Sequence, residues 1–265
     1  MKYTLGFIGC GNMGGALVQA AAKSVDGSQI AVCDFDKAKV ARFEKDCGVV
    51  GTTSRNIAEN ARFVVLAVKP QVMQSAIAEF ADLLKTRKDV VVVTMAAGLS
   101  IAAIRSYVGG NPPVIRIMPN TPVAVGAGMI LYTLADVSAD AETEFLSAFA
   151  KAGLFDKIPE EKIDAGSALS GCGPAFVYAF AEALADGGVE CGVPRDKAAL
   201  YAAQTLLGAA EMLLTYGHPA DLKDAVCSPG GTTIAGMHAL EIAGFRGIAM
   251  DAVTAAYQRT LELKK

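Results

Sequence analysis

The chain has 265 residues, of which 52% are hydrophobic and only 19% charged, with a formal net charge of −3. That length holds one large domain or two smaller ones, and an acidic balance with no basic block argues against a nucleic-acid partner. Two histidines, and six cysteines (10, 33, 47, 172, 191 and 227) with no CxxC pair, argue against a metal site and suit reduced thiols in a cytoplasmic protein.

The first apolar run, Thr4–Ile8, ends in Phe7-Ile8-Gly9-Cys10, which looks like a lipoprotein cleavage box. The run is too short for a signal-peptide core and reads as a buried strand. It leads into Gly9-x-Gly11-x-x-Gly14 and a helical pattern over Met13–Ala22. In that context Gly9 serves a tight turn, Gly11 lets a pyrophosphate approach the backbone, and Gly14 lets the helix pack on the sheet. Cys10, Asn12 and Met13 complete the candidate cofactor turn. Ile30–Cys33 reads as the second strand, with Asp34 at its end. A carboxylate there accepts the ribose hydroxyls and repels a 2′-phosphate, which favours NADH. Lys37 and Lys39 follow closely and can serve a 2′-phosphate, so the expected cofactor is NADH or NADPH.

A helix is expected over Asp36–Cys47 and a strand over Phe63–Val68. Ala67-Val68-Lys69-Pro70 then starts a helix over Val72–Leu84, with Pro70 at its first position. Lys69 stands either at the ligand-binding edge of the sheet or in solvent. After a strand over Val90–Met95, the small residues Ala96, Ala97 and Gly98 leave room for a cofactor or make a tight turn. Ile101–Val108 is helical, and Val114–Met118 is a strand that runs into Met118-Pro119-Asn120-Thr121-Pro122. That loop flanks a nicotinamide or is simply stiff. Met129–Tyr132 is the last expected strand. Strands apolar at every residue, alternating with helices, predict a doubly wound parallel α/β domain over residues 1–160.

From about Glu160 the β-branched runs give way to Ala-rich helical patterns over Ala175–Ala185, Arg195–Tyr216, Thr232–Ile242 and Gly247–Glu262. No run reaches the roughly 18 unbroken apolar residues that span a bilayer. Helices apolar on several faces need several partners, so residues 161–265 are expected to form an all-α, interlocked dimerisation and substrate domain. Within it, Ser228-Pro229-Gly230-Gly231 turns into a helix that starts at Thr232 and Thr233. Glycine backbone and free helix-start N–H groups suit a small carboxylate without any arginine. The plain alternative is an ordinary N-cap. Cys172 and Cys227 lie beside such motifs but have no histidine fixed next to them and read as packed thiols.

Taken in order, Gly6–Gly14, Ala67–Pro70, Arg116–Pro122, Ser170–Ala175 and Ser228–Thr233 resemble the pyrroline-5-carboxylate reductase family over nearly the whole chain. The last motif is close to diagnostic, whereas the first is shared with 3-hydroxyacid dehydrogenases. The resemblance implies reduction of the cyclic imine Δ1-pyrroline-5-carboxylate to L-proline by a homodimer, often assembled into a ring of dimers. It implies that Ser228, Gly230, Gly231, Thr232 and Thr233 bind the substrate carboxylate, with the Thr233 hydroxyl at the ring nitrogen as the catalytic group. It also implies that Asn56, Ala67, Val68, Lys69, Pro70, Ala97 and Gly98 line the cofactor, and that Ser170–Ala175 begins the helix carrying the interdomain pocket. Two positions depart from the family pattern: Asp34-Phe35-Asp36, which puts NADPH preference in doubt, and Ala225, where asparagine is common. A dehydrogenase of 3-hydroxyacids carries a lysine with an asparagine four residues on. Here Lys197 and Lys223 are followed at that spacing by Tyr201 and Cys227. A reductase of the six-membered cyclic imine remains the nearest alternative.

Overall fold

The computed structural model describes residues 1–263, so the last two residues of the expected 161–265 domain lie outside the described residues. Contacts divide the chain into one unit comprising Met1–Cys172 and the chain from Tyr257, and a second comprising Gly173–Ala256.

The first unit is built on an eight-stranded sheet. Its strands are β1 (Tyr3–Ile8), β2 (Ile30–Cys33), β3 (Val50–Gly51), β4 (Ala61–Leu66), β5 (Val91–Thr94), β6 (Val114–Met118), β7 (Gly128–Ala135) and β8 (Gly153–Lys157). They lie in the order β3-β2-β1-β4-β5-β6-β7-β8. Its helices are α1 (Asn12–Ala21), α2 (Lys37–Cys47), α3 (Ser54–Asn60), α4 (Met73–Ala78), α5 (Ala81–Thr86), α6 (Ile101–Val108), α7 (Ala139–Ala148) and α8 (Glu160–Ser170). Strand side chains alternate between two cores, one on each face. Phe63, Val65, Val91 and Val93 pack with α1, α2 and α7. Val64, Leu66, Val90 and Val92 pack with α3 to α6. Because both faces are covered, β1, β2, β4 and β5 are apolar at nearly every residue, whereas β8, last in the sheet order, is largely exposed.

The expected parallel sheet holds from β3 to β6, but β7 runs antiparallel to β6 and β8 parallel to β7. A short link through Pro119–Ala127 returns the chain beside the strand it has just left, and a crossover helix is not needed for an antiparallel neighbour. The expected helix over Val72–Leu84 is broken. A 3₁₀ turn over Pro70–Val72 precedes α4, and the break before α5 falls at Glu79 and Phe80. The Phe80 ring is fully buried there.

The second unit consists of α9 (Gly173–Glu190), α10 (Arg195–Tyr216), α11 (Pro219–Ala225), α12 (Thr232–Ile242) and most of α13 (Phe245–Glu262). It is thinly packed by itself. Among its described residues only Ala185, Ala198 and Ala202 form a buried cluster. Leu207, Leu214, Tyr216, Ile242, Ile248 and Met250 are all more than half exposed.

Candidate active site

The strand order reverses direction about β1: the chain moves from β1 out to β3, then returns to β4 on the other side. A crevice outside the carboxyl ends of the strands at such a point is where ligands bind in this architecture. Three loops meet there. Gly9 donates to the Cys33 carbonyl at 2.8 Å, and Ala67 donates to the Ile8 carbonyl at 2.9 Å. The Cys10 N–H donates to an Asp34 carboxylate oxygen at 2.6 Å, which ties the end of β2 to the glycine-rich turn. The other Asp34 oxygen accepts the Asp36 N–H at 2.9 Å.

Each glycine of the turn answers a different constraint. Gly9 has φ +101°, and a β-carbon there would stand 2.7 Å from the Ala67 carbonyl. A β-carbon at Gly14 would stand 2.5 Å from the Gly9 carbonyl and 2.9 Å from Ala67 Cβ. Gly11, the N-cap of α1, is exposed and has nothing within 4 Å of its would-be β-carbon. No side chain caps α1, so its first N–H groups and positive dipole end are left for an anion. Two cavities adjoin the turn. One, of about 310 Å³, is lined by Gly9, Asp34, Lys37, Thr53, Ser54 and Val68 among others. The second, of about 320 Å³, is lined by Cys10, Gly11, Asn12, Lys39 and Arg42. Open space over Gly11, a helix start and basic side chains beside it fit the phosphates of a dinucleotide.

Not every expected cofactor residue reaches these cavities. Asn56, in the first turn of α3, lines neither, and nor do Ala67, Lys69, Pro70, Ala97 and Gly98; Thr53 and Ser54, at the start of α3, take the wall of the first. The pattern hid them because β3 is only two residues long and gives no periodic signal. Met13 packs half-buried on the core. Lys69 is exposed at the head of the 3₁₀ turn, and Ala97 is exposed beside Gly98, which has φ +78°. Cys10 is buried, and its thiol is pushed up to about 12, first by burial and then by the Asp34 carboxylate, so it stays protonated.

Two polar residues around β6 act on α8. Arg116, fully buried, donates to Asp164 at 2.8 Å and to Glu160 at 3.1 Å. Glu160 also accepts the Ile101 N–H at 2.7 Å. The Asn120 amide donates to the Ser170 carbonyl at 2.9 Å and accepts from the Met129 N–H at 2.9 Å. Asn120 thus spends its side chain on the frame, and the Met118–Pro122 loop is held through it. The sequence showed the loop's stiffness but not these partners, which lie 44 to 50 residues away.

In the second unit, Gly230 has φ +69°, and the Gly231 N–H closes a turn on the Ser228 carbonyl at 3.0 Å. A β-carbon at Gly231 would collide with the Ser228 hydroxyl. Gly231 is the N-cap of α12, and no side chain caps the helix. The N-cap alternative therefore fails: neither Thr232 nor Thr233 caps α12, and both are exposed. The uncapped helix start leaves its first N–H groups available to a carboxylate. A cavity of about 510 Å³ lies along the same helix, lined by Gly230, Gly231, Ile234, Met237 and His238 together with Lys223 and Glu241. Thr232 and Thr233 do not line it. No cluster of three or more metal-ligating side chains occurs among the described residues.

Two family models match the chain: pyrroline-5-carboxylate reductase dimerisation over residues 160–263, and NADP oxidoreductase, coenzyme F420-dependent, over residues 4–98. The pyrroline-5-carboxylate reductase of Pisum sativum is 41% identical over 266 residues, covering 99% of this chain and 96% of the relative. That of Escherichia coli strain K12 is 38% identical over 270 residues, covering 100% of both. Among solved structures, a pyrroline-5-carboxylate reductase from Coxiella burnetii has 34% identity and a TM-score of 0.90, and covers 100% of both chains. The Plasmodium falciparum pyrroline carboxylate reductase with NADP bound has 30% identity and a TM-score of 0.88 over the same full coverage.

Proposed function

The chain belongs to the pyrroline-5-carboxylate reductase family, and we propose on that premise that it reduces Δ1-pyrroline-5-carboxylate to L-proline, the last step of proline biosynthesis, with NADH or NADPH. The observation that carries the reading is a pair of uncapped helix starts, each preceded by glycines: α1 behind Gly11, and α12 behind Gly231. The first suits a pyrophosphate and the second a small carboxylate.

A bound nicotinamide dinucleotide supplies the hydride. The chain's own residues bind and orient. Gly9, Cys10, Gly11, Asn12 and Gly14 form the phosphate turn, and Asp34 receives the adenosine ribose. Ala67, Val68, Lys69, Pro70, Ala97 and Gly98, which follow β4 and β5 at the carboxyl edge, are assigned to the same groove. Asn56 is assigned to the groove together with Thr53 and Ser54, which line its wall at the start of the same helix. Around α12, the N–H groups of Thr232 and Thr233 hold the carboxylate, with Ser228, Gly230 and Gly231 shaping the turn. The Thr233 hydroxyl orients the ring nitrogen. A protonated imine is already electrophilic, so a strong acid is not required and rate comes chiefly from positioning. Threonine ionises too weakly to be a good general acid. Asp34 favours NADH over NADPH.

The protein partner is a second copy of the chain. The apolar side chains left exposed on α9, α10, α12 and α13 need cover, and the matching dimerisation model spans 160–263. The stretches Glu160–Glu190 and Arg195–Tyr216 are long and apolar enough to cross a membrane by length and composition. A homodimer accounts for the same apolar surface, and a ring of dimers extends it. Six unpaired thiols suit the cytoplasm.

Initial rates with pyrroline-5-carboxylate, taken with NADH and NADPH in parallel, test the reading. Oxidation of cofactor with stoichiometric proline supports it. No oxidation with either cofactor overturns it, and turnover of only the six-membered imine moves the assignment to the ring homologue.

A further inference from the structure

The cavity beside Gly9 is lined by both apolar and charged side chains. Ile8 and Val68 supply apolar lining, while Asp34 and Glu79 bring carboxylates from two different elements to a cavity that holds one lysine, Lys37. Glu79 is held in place. Its carboxylate accepts the Ser54 hydroxyl at 2.9 Å, and its backbone carbonyl accepts from Arg55 at 3.1 Å. The Arg55 guanidinium is itself forked onto Asp82 at 2.8 and 3.2 Å, so its charge is spent there and not on the Glu79 carboxylate. Lys37 donates to the Asp34 backbone carbonyl at 3.4 Å. The field of both carboxylates reaches the cavity wall: the Cys33 thiol is pushed up chiefly by burial, held back by Lys37, and pushed further by Asp34 and Glu79.

We infer that Glu79 is a second specificity-determining residue for the dinucleotide, acting with Asp34 to select an adenosine whose 2′ position is a free hydroxyl. The inference rests on the dinucleotide reading above. A 2′-phosphate carries about two negative charges at pH 7 and would meet two carboxylates and one lysine in this cavity. A ribose hydroxyl instead donates to a carboxylate that is already oriented. Lys39 and Arg42 stand at the other cavity of the turn, beside Gly11 and Asn12. If they receive the 2′-phosphate, Glu79 has no part in the choice.

The test is calorimetric titration of the full-length protein with 5′-AMP and with 2′,5′-ADP at fixed ionic strength, for the native chain, Glu79→Gln and Glu79→Asp. The native chain is expected to bind AMP more tightly. Glu79→Gln is expected to raise the affinity for 2′,5′-ADP relative to AMP by about tenfold, or about 1.4 kcal/mol, and Glu79→Asp is expected to keep the native ratio. An unchanged ratio in Glu79→Gln, with both ligands binding, overturns the role of Glu79 alone. Failure of the folded native chain to bind either ligand overturns the dinucleotide reading with it.

Discussion

Asp34, proposed above to receive the ribose, has both of its oxygens accepting backbone N–H groups, from Cys10 and Asp36. Its side chain therefore builds the glycine-rich turn as well as lining the cavity beside it. Charge-assisted bonds of this kind contribute about 1.5–3 kcal/mol each. Asp34→Ala is accordingly expected to weaken both cofactors by about tenfold through loss of the turn, with the greater loss for NADH because the ribose acceptor goes with it. Fluorescence titration of both cofactors decides it, since a clean switch to NADPH would mean that the turn holds without Asp34. Thr233 is the opposite case, an exposed side chain at an uncapped helix start with nothing structural to lose. Thr233→Ala is expected to lower turnover by about tenfold or more through lost orientation, with the melting temperature unmoved. Unchanged turnover would remove Thr233 from the mechanism.

At the scale of elements, the β1–α1 turn separates glycines kept for packing from one kept for a ligand. Gly14→Ala drives a methyl against the Gly9 carbonyl and Ala67 in a buried site, and is expected to cost about 1–3 kcal/mol in a denaturant melt. Gly11→Ala meets nothing in the protein, and its stability is expected to stay within about 0.5 kcal/mol of native. Its dinucleotide affinity is expected to fall at least tenfold, because the methyl would occupy the approach of the pyrophosphate. A Gly11→Ala chain with native affinity would show that the phosphates pass elsewhere. The break between α4 and α5 has a comparable consequence. Burial of Phe80 ends the helix that the periodicity of Val72–Leu84 suggested, and the residue at the break, Glu79, lines the cavity instead of lying on a continuous helix.

For the whole molecule, the contrast between the two units is the main physical fact. The first closes two cores around its sheet, whereas the second leaves apolar side chains exposed along α9, α10, α12 and α13. Large apolar side chains exposed in such numbers suit an interface. Leu207, 53% exposed near the middle of α10, is a suitable probe. On a free surface, Leu207→Glu would change little. In a dimer interface it buries a charge and is expected to shift the protein from twice the chain mass towards one chain mass by light scattering after gel filtration. A native chain that is monomeric at micromolar concentration would remove the dimer.

The sequence by itself determined the alternation of buried strands and helices, the glycine turn after Ile8, the Asp34 position and the Ser228–Thr233 helix start, because each is a local pattern written in adjacent residues. Helix limits at Ile101–Val108, Arg195–Tyr216 and Thr232–Ile242 were legible for the same reason. Only the tertiary structure decided what depends on residues far apart in the chain. The antiparallel turn of β7, the two-residue β3, the hold of Arg116 and Asn120 on α8, and the meeting of Asp34 with Glu79 and Ser54 all belong to that group. Periodicity reports which face of an element is buried, but not which distant side chain it is buried against. Those pairings come from the sheet order, which brings the ends of β1, β2 and β4 to one edge.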